Sequence, residues 1–138
     1  MPARDAFHDA VRHALEKDGW TITHDPFPIR AEFGRMYIDL GAEKVLAAER
    51  EGRKIAVEIK SFVQGSPVSE FHTALGQFIN YRTILADQEP ERILYLAIPA
   101  DTYNSFFVLT TVQLIVKENR LKLIVYNSRQ ETISQWIS

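Results

Sequence analysis

Three residues suited to phosphate chemistry sit in two short apolar runs of this sequence: Asp39 in MYIDLG, and Glu58 and Lys60 in KIAVEIKSF. On a strand, Glu58 and Lys60 share one face with Ala56, while Ile55, Val57 and Ile59 share the other. Residues two apart on a strand stand about 6.5 to 7 Å from one another. That is long for a tight ion pair, but it lets both side chains converge on one phosphate. The alternative is a solvent-facing pair on a hairpin, each bonded across the strands to a residue such as Glu49 or Arg50, contributing under about 1 kcal/mol. Asp39 adds chemistry that the pair alone lacks. If its strand neighbours that of Glu58, the two carboxylates repel, and a divalent cation with oxygen ligands relieves the repulsion. Mg2+ (or Mn2+) in that position polarises a phosphate and acidifies a bound water, while Lys60 orients the water or offsets charge developing at phosphorus.

The elements that must position these groups are legible in the apolar patterning. A helix over about Ala3–Lys17 has the stripe Phe7, Ala10, Val11, Ala14 and Leu15, and closes before Gly19. WTITH is a short strand, residues 37–40 are another, and Gly41 breaks the second. KVLAAERE and GRKIAVEIKSF form a hairpin about Glu51, Gly52 and Arg53. A helix over about 69–86 follows, with Phe71, Ala74, Leu75, Phe78 and Leu85 as its buried stripe. In its ALGQFINYR segment Gln77 and Tyr81 are four apart and share a face, placed to bind a nucleic-acid phosphate or to fix the Lys60 ammonium; a half-exposed helix border is the plainer reading. Gly76 inside this helix suggests close approach to the sheet. ERILYLAIP is apolar on both faces, hence a central strand; short helices near 101–107 and 111–118 precede the strands LKLIVY and ETISQWI. The order implies an α/β sandwich around a central mixed sheet flanked by helices.

Composition bounds the function classes. The 138 residues, 46% hydrophobic and 25% charged, suit one domain spanning 1–138. The absence of cysteine excludes disulfides and thiolate zinc, and fits a reducing cytoplasm. His8, His13, His24 and His72 are dispersed, without zinc-ligand spacing. No run approaches the length of a membrane span, so no membrane partner is expected. The net charge of −2 leaves any nucleic-acid contact to a local patch. Basic residues bunch at Arg50, Arg53, Lys54 and Lys60, and at Lys117, Arg120 and Lys122; charge patterning alone reads both as solvated turns. Ser61 has no catalytic His and Asp arranged with it, and Trp20 and Trp136 read as packing residues.

With Asp39, then Glu58, Ile59 and Lys60 on a strand, then a helix carrying Gln77 and Tyr81, residues 4–85 resemble the PD-(D/E)XK phosphodiesterase superfamily, the restriction-endonuclease-like fold. The Gln-x-x-x-Tyr pattern is that of its RecB-like members. The resemblance implies that Asp39, Glu58 and the Ile59 carbonyl bind the metal and that Lys60 assists the attacking water. Many members also carry a glutamate on the first helix, about eleven residues before the closing glycine. Here that count lands on His8, with Asp9 as the neighbouring acid.

Longer stretches, MPARDAFHDAVRHALEKDGWTITHDP, YIDLGAEKVLAAEREGRKIAVEIKSF, ALGQFINYR and ERILYLAIP, resemble the XisH family, cyanobacterial factors described as controlling excision of a DNA element. This implies DNA as a partner, a companion protein, XisI, and a role in programmed DNA rearrangement in which a separate recombinase performs the excision. Three readings remain open: an accessory factor with a working Mg2+-dependent nuclease site, a non-catalytic regulator on a nuclease scaffold, and the effector half of a two-protein system. The apolar tail residues Ile133, Trp136 and Ile137 make a last edge strand or a homo-oligomer contact.

Overall fold

The computed structural model describes residues 3–31, 34–35, 45–63 and 65–138. Asp39, the strand expected over 37–40 and its break at Gly41 lie outside the described residues.

Helix α1 (Ala3–Lys17) buries Ala10, Val11, Ala14 and Leu15, the expected stripe. It ends in a paired-bond stop: Gly19 N–H donates to the Glu16 carbonyl and Trp20 N–H to that of Leu15, with Gly19 at φ 92°. Strand β1 (Thr21–His24) then leads towards a two-stranded ribbon of β2 (Arg30–Ala31) and β3 (Gly34–Arg35). β4 (Val45–Arg50) and β5 (Arg53–Ile59) form the expected hairpin. Glu51 and Gly52 both have positive φ, 52° and 80°, the pairing that a two-residue turn between twisted strands demands.

Ser66 caps the next helix, α2 (Pro67–Gln88): its Oγ accepts from Ser69 N–H at 3.0 Å, and Pro67 takes the first turn, where a missing N–H costs nothing. β6 (Arg92–Pro99) runs parallel to β5, so α2 is the crossover connecting them. α3 (Ala100–Thr102), a π-helical turn at Tyr103–Phe107 and α4 (Thr110–Glu118) carry the chain to β7 (Leu123–Asn127), parallel to β6, and β8 (Thr132–Ile137), antiparallel at the edge. The mixed six-stranded sheet has the order β1-β4-β5-β6-β7-β8.

Each face of this sheet has its own core. On one, Phe71, Ala74, Phe78 and Leu85 of α2, with Val112 and Val116 of α4, pack on Ala47, Ala56, Leu94, Leu96 and Ile98. On the other, Val11 and Leu15 of α1 pack on Leu46, Ile55, Val57, Ile59 and Tyr126. The alternation read along β5 is thus real, and both its faces are covered. Trp20 and Trp136 pack on the α1 side with ring centres 5.7 Å apart, so the tail forms an edge strand whose tryptophan closes the core.

Gly76 corrects one expectation. It is exposed, and a Cβ built there would meet nothing within 4 Å. Ala74 and Phe78 face the sheet, and at 100° per residue position 76 points nearly opposite to both. The small residues that let α2 settle on the sheet are Ala47, Ala56 and Ala74, all 0% exposed.

Candidate functional site

Glu58 is the penultimate residue of β5, and Lys60 lies just beyond the strand's end. Both belong to the face that carries Ala56, so they project under α2 rather than into solvent. Glu58 is 1% exposed and Lys60 5%. The register also removes the hairpin-surface alternative: Glu58 stands opposite Val45, while Glu49 stands opposite Lys54 and Arg50 opposite Arg53.

The Lys60 ammonium donates to Gln77 Oε1 at 2.5 Å and lies 3.5 Å from Glu58 Oε2. The expected separation was too long, because strand spacing fixes Cα positions only. Lys60 is past the last ladder residue, and its four-carbon stem folds back onto Glu58. Its backbone is held as well. The Lys60 N–H donates to the Ala97 carbonyl at 3.0 Å, and its own carbonyl accepts from the Tyr126 hydroxyl at 3.3 Å.

Gln77 therefore does one of the two things expected of it, fixing the ammonium. Tyr81, one turn on, is 7% exposed and packed in the α2-side core. The Ile59 side chain belongs to the α1-side core, so only its main chain is available for the role the resemblance implies. Taking a carboxylate and an ammonium out of water costs several kcal/mol per ion, and removing one partner of such a pair typically costs about 3 to 5 kcal/mol.

His8 is occupied elsewhere. Its Nε2 lies 2.8 Å from Asp25 Oδ2, the same oxygen that accepts from Arg12 Nη1 at 2.7 Å. Burial works to raise the Asp25 pKa, but His8 and Arg12 outweigh it and hold this carboxyl below its ordinary value. Asp9 is exposed on α1. Sequence reasoning missed Asp25. The available signal was His8 and Arg12 one helical turn apart, with an acid directly after the strand that follows. Among the described residues no three His, Asp or Glu side chains cluster as metal ligands. The oxygen donors expected at this sheet end, the Glu58 carboxylate and the Ile59 carbonyl, suit a hard cation such as Mg2+, with Asp39 outside the described residues.

The family model for XisH protein matches residues 1–134. The chain belongs to the XisH family. Two solved structures share its fold. An XisH family protein from Nostoc punctiforme PCC 73102 is 52% identical, with a TM-score of 0.90, over 97% of this chain and 100% of that one. An FdxN element excision controlling factor protein from Anabaena variabilis is 53% identical, with a TM-score of 0.91, over 98% of this chain and 100% of that one. No curated protein matches the sequence. Among the described residues, no helix of this XisH-family chain is long and apolar enough to cross a membrane.

Proposed function

We propose that this XisH-family chain controls excision of a DNA element, the role named for its Anabaena variabilis relative, and that Glu58, Lys60 and Gln77 belong to a Mg2+-dependent phosphodiesterase site. The observation that carries the second part is a carboxylate and an ammonium buried under a helix where an apolar pair would cost far less. Polar groups that violate the local packing rule are concentrated at functional sites.

Asp39, Glu58 and the Ile59 carbonyl would hold Mg2+ or Mn2+, which when bound would supply a Lewis acid for the scissile phosphate. The protein's own part is positional and electrostatic. Gln77 and Glu58 restrain the Lys60 ammonium, so that it can orient the attacking water and offset negative charge on the phosphate oxygens as the P–O ester bond breaks. DNA is the substrate class and XisI the companion protein. The edge strand β8 offers a contact for a second copy of the chain.

The engagement of His8 with Asp25 favours a second reading, in which the scaffold regulates by binding DNA or protein without catalysis. Cleavage of single- and double-stranded DNA with Mg2+ or Mn2+, with and without XisI, separates the two. Lys60→Ala is expected to lower wild-type cleavage about a hundredfold or more. Gln77→Ala, whose side chain is only half-buried, is expected to lower it with the circular dichroism spectrum unchanged. If the wild type shows no metal-dependent cleavage under any of these conditions, the scaffold reading replaces the enzymatic one.

A further inference from the structure

The C-terminal part of α2, the start of β6 and the turn from α4 into β7 enclose a cleft of about 370 Å³. It lies towards the other end of the sheet from Lys60. Arg92, in its lining, is in register with Lys54, about 13 Å along the strand from Glu58.

The apolar lining of the cleft includes Ala86 and Pro90, both exposed; Ile93 also borders it, but alternation with Tyr95 and Ala97 turns that side chain to the α1 side of the sheet. Its basic lining includes Arg82, Arg120 and Lys122. Arg92 is already committed, donating through Nε to Glu89 at 2.9 Å and through Nη1 to the Ile55 carbonyl at 3.0 Å. Among the described residues, Arg82, Arg120 and Lys122 have no carboxylate partner. Arg82 is held in place: its Nη1 donates to the carbonyls of Asn119 at 2.8 Å and Arg120 at 3.0 Å, and its guanidinium carbon sits 5.3 Å from the centre of the Phe78 ring. Burial, and then the charge of Arg120, push the Arg82 pKa below its ordinary value, so like charges are crowded here.

Arg120 occupies a strained position. α4 ends as α1 does, with Arg120 N–H donating to the Lys117 carbonyl and Leu121 N–H to that of Val116. In α1 the residue at the corresponding left-handed position is Gly19, at φ 92°; here it is an arginine at φ 51°. The same helix stop is thus built once without strain and once with strain, and the strained copy places a guanidinium at the cleft.

We propose that this cleft binds a nucleoside monophosphate, with the phosphate on Arg82, Arg120 and Lys122 and the base against Ala86 and Pro90. A phosphate monoester brings close to two charges to a group of cations that have no carboxylate partner among the described residues, where a carboxylate brings one. The flat apolar body suits the exposed Ala86 and Pro90, and the volume falls in the range of small-molecule sites. The nucleotide can be free or can be the phosphorylated end of a DNA strand. The inference does not depend on the Glu58–Lys60 site.

Isothermal titration calorimetry with AMP tests it. Saturable binding of one AMP per chain is expected, about tenfold or more tighter than adenosine or inorganic phosphate. Arg120→Gly removes the backbone strain, so it is expected to fold and melt above the wild type while binding AMP about tenfold or more weakly, the scale of one lost charge-assisted contact. Displacement of AMP by a 5′-phosphorylated oligonucleotide, but not by its 5′-hydroxyl counterpart, identifies the strand end as the source. No displacement by either identifies the free nucleotide. The proposal is overturned by no saturable AMP binding, by unchanged binding in Arg120→Gly, by phosphotyrosine binding as tightly as AMP, or by equal displacement with both oligonucleotides.

Discussion

A carboxylate that shares one oxygen between a histidine and an arginine ties its two neighbours to itself, and Asp25 does this for successive turns of α1. Its folded pKa is depressed, so its contribution to stability is present above the ordinary carboxylate value of about 3.9 and is lost as pH falls through the lower folded value. Asp25→Asn is expected to cost about 1 to 3 kcal/mol at neutral pH, and the difference in melting temperature from wild type should narrow steadily below about pH 4. Equal differences at pH 3 and pH 7 would show that the charge contributes nothing. At this scale the sequence was legible in part. Residue type and alternation placed Glu58 and Lys60 on one face, but neither says that a long side chain beyond the strand's end will curl back onto its neighbour. Nor does helix spacing alone reveal that His8 is already committed to a residue seventeen positions on.

At the scale of elements, α2 shows how phase decides what a residue type means. Its apolar stripe was readable because the 3.6-residue period survives in Phe71, Ala74, Phe78 and Leu85. The glycine rule failed because it was applied without that phase: Gly76 lies on the solvent side, where its missing side chain serves no packing role. Gly76→Ala is therefore expected to stabilise the protein by about 0.4 to 1 kcal/mol, measured as a higher denaturant midpoint with an unchanged slope. Had the helix approached the sheet there, the added methyl would destabilise it instead. The hairpin and parallel crossover were legible for a similar reason, since turn residues and doubly apolar strands have few competing readings. The layer covering the polar face of β5 was legible in outline, through a sheet flanked by helices and Gln77 placed to fix the Lys60 ammonium, but the near-complete burial of Glu58 beneath it was not, because that depends on how closely the crossover seats α2 on the strand.

At the scale of the whole molecule, a net charge of −2 on 138 residues gives little general attraction to DNA, so any binding rests on a few local phosphate contacts. With about three such contacts, the slope of log affinity against log salt should be about −2.7, roughly a 40-fold loss for a fourfold rise in salt. Fluorescence anisotropy with labelled DNA measures this directly, and a salt-insensitive interaction would point to protein contacts. The mixed α/β architecture was legible from element order because few sheet topologies satisfy a hairpin followed by helical crossovers.

The hold on Lys60 has one more consequence. Gln77 takes its ammonium on the α2 side of the sheet, and Tyr126, a member of the α1-side core, takes its carbonyl. Residue 60 thus works like a rivet through a plate, its two heads fastened in different layers. Loosening the Tyr126 head alters the seat of the ammonium without touching Gln77, so the sequence constraint on this site reaches a layer that no strand of DNA would need to meet.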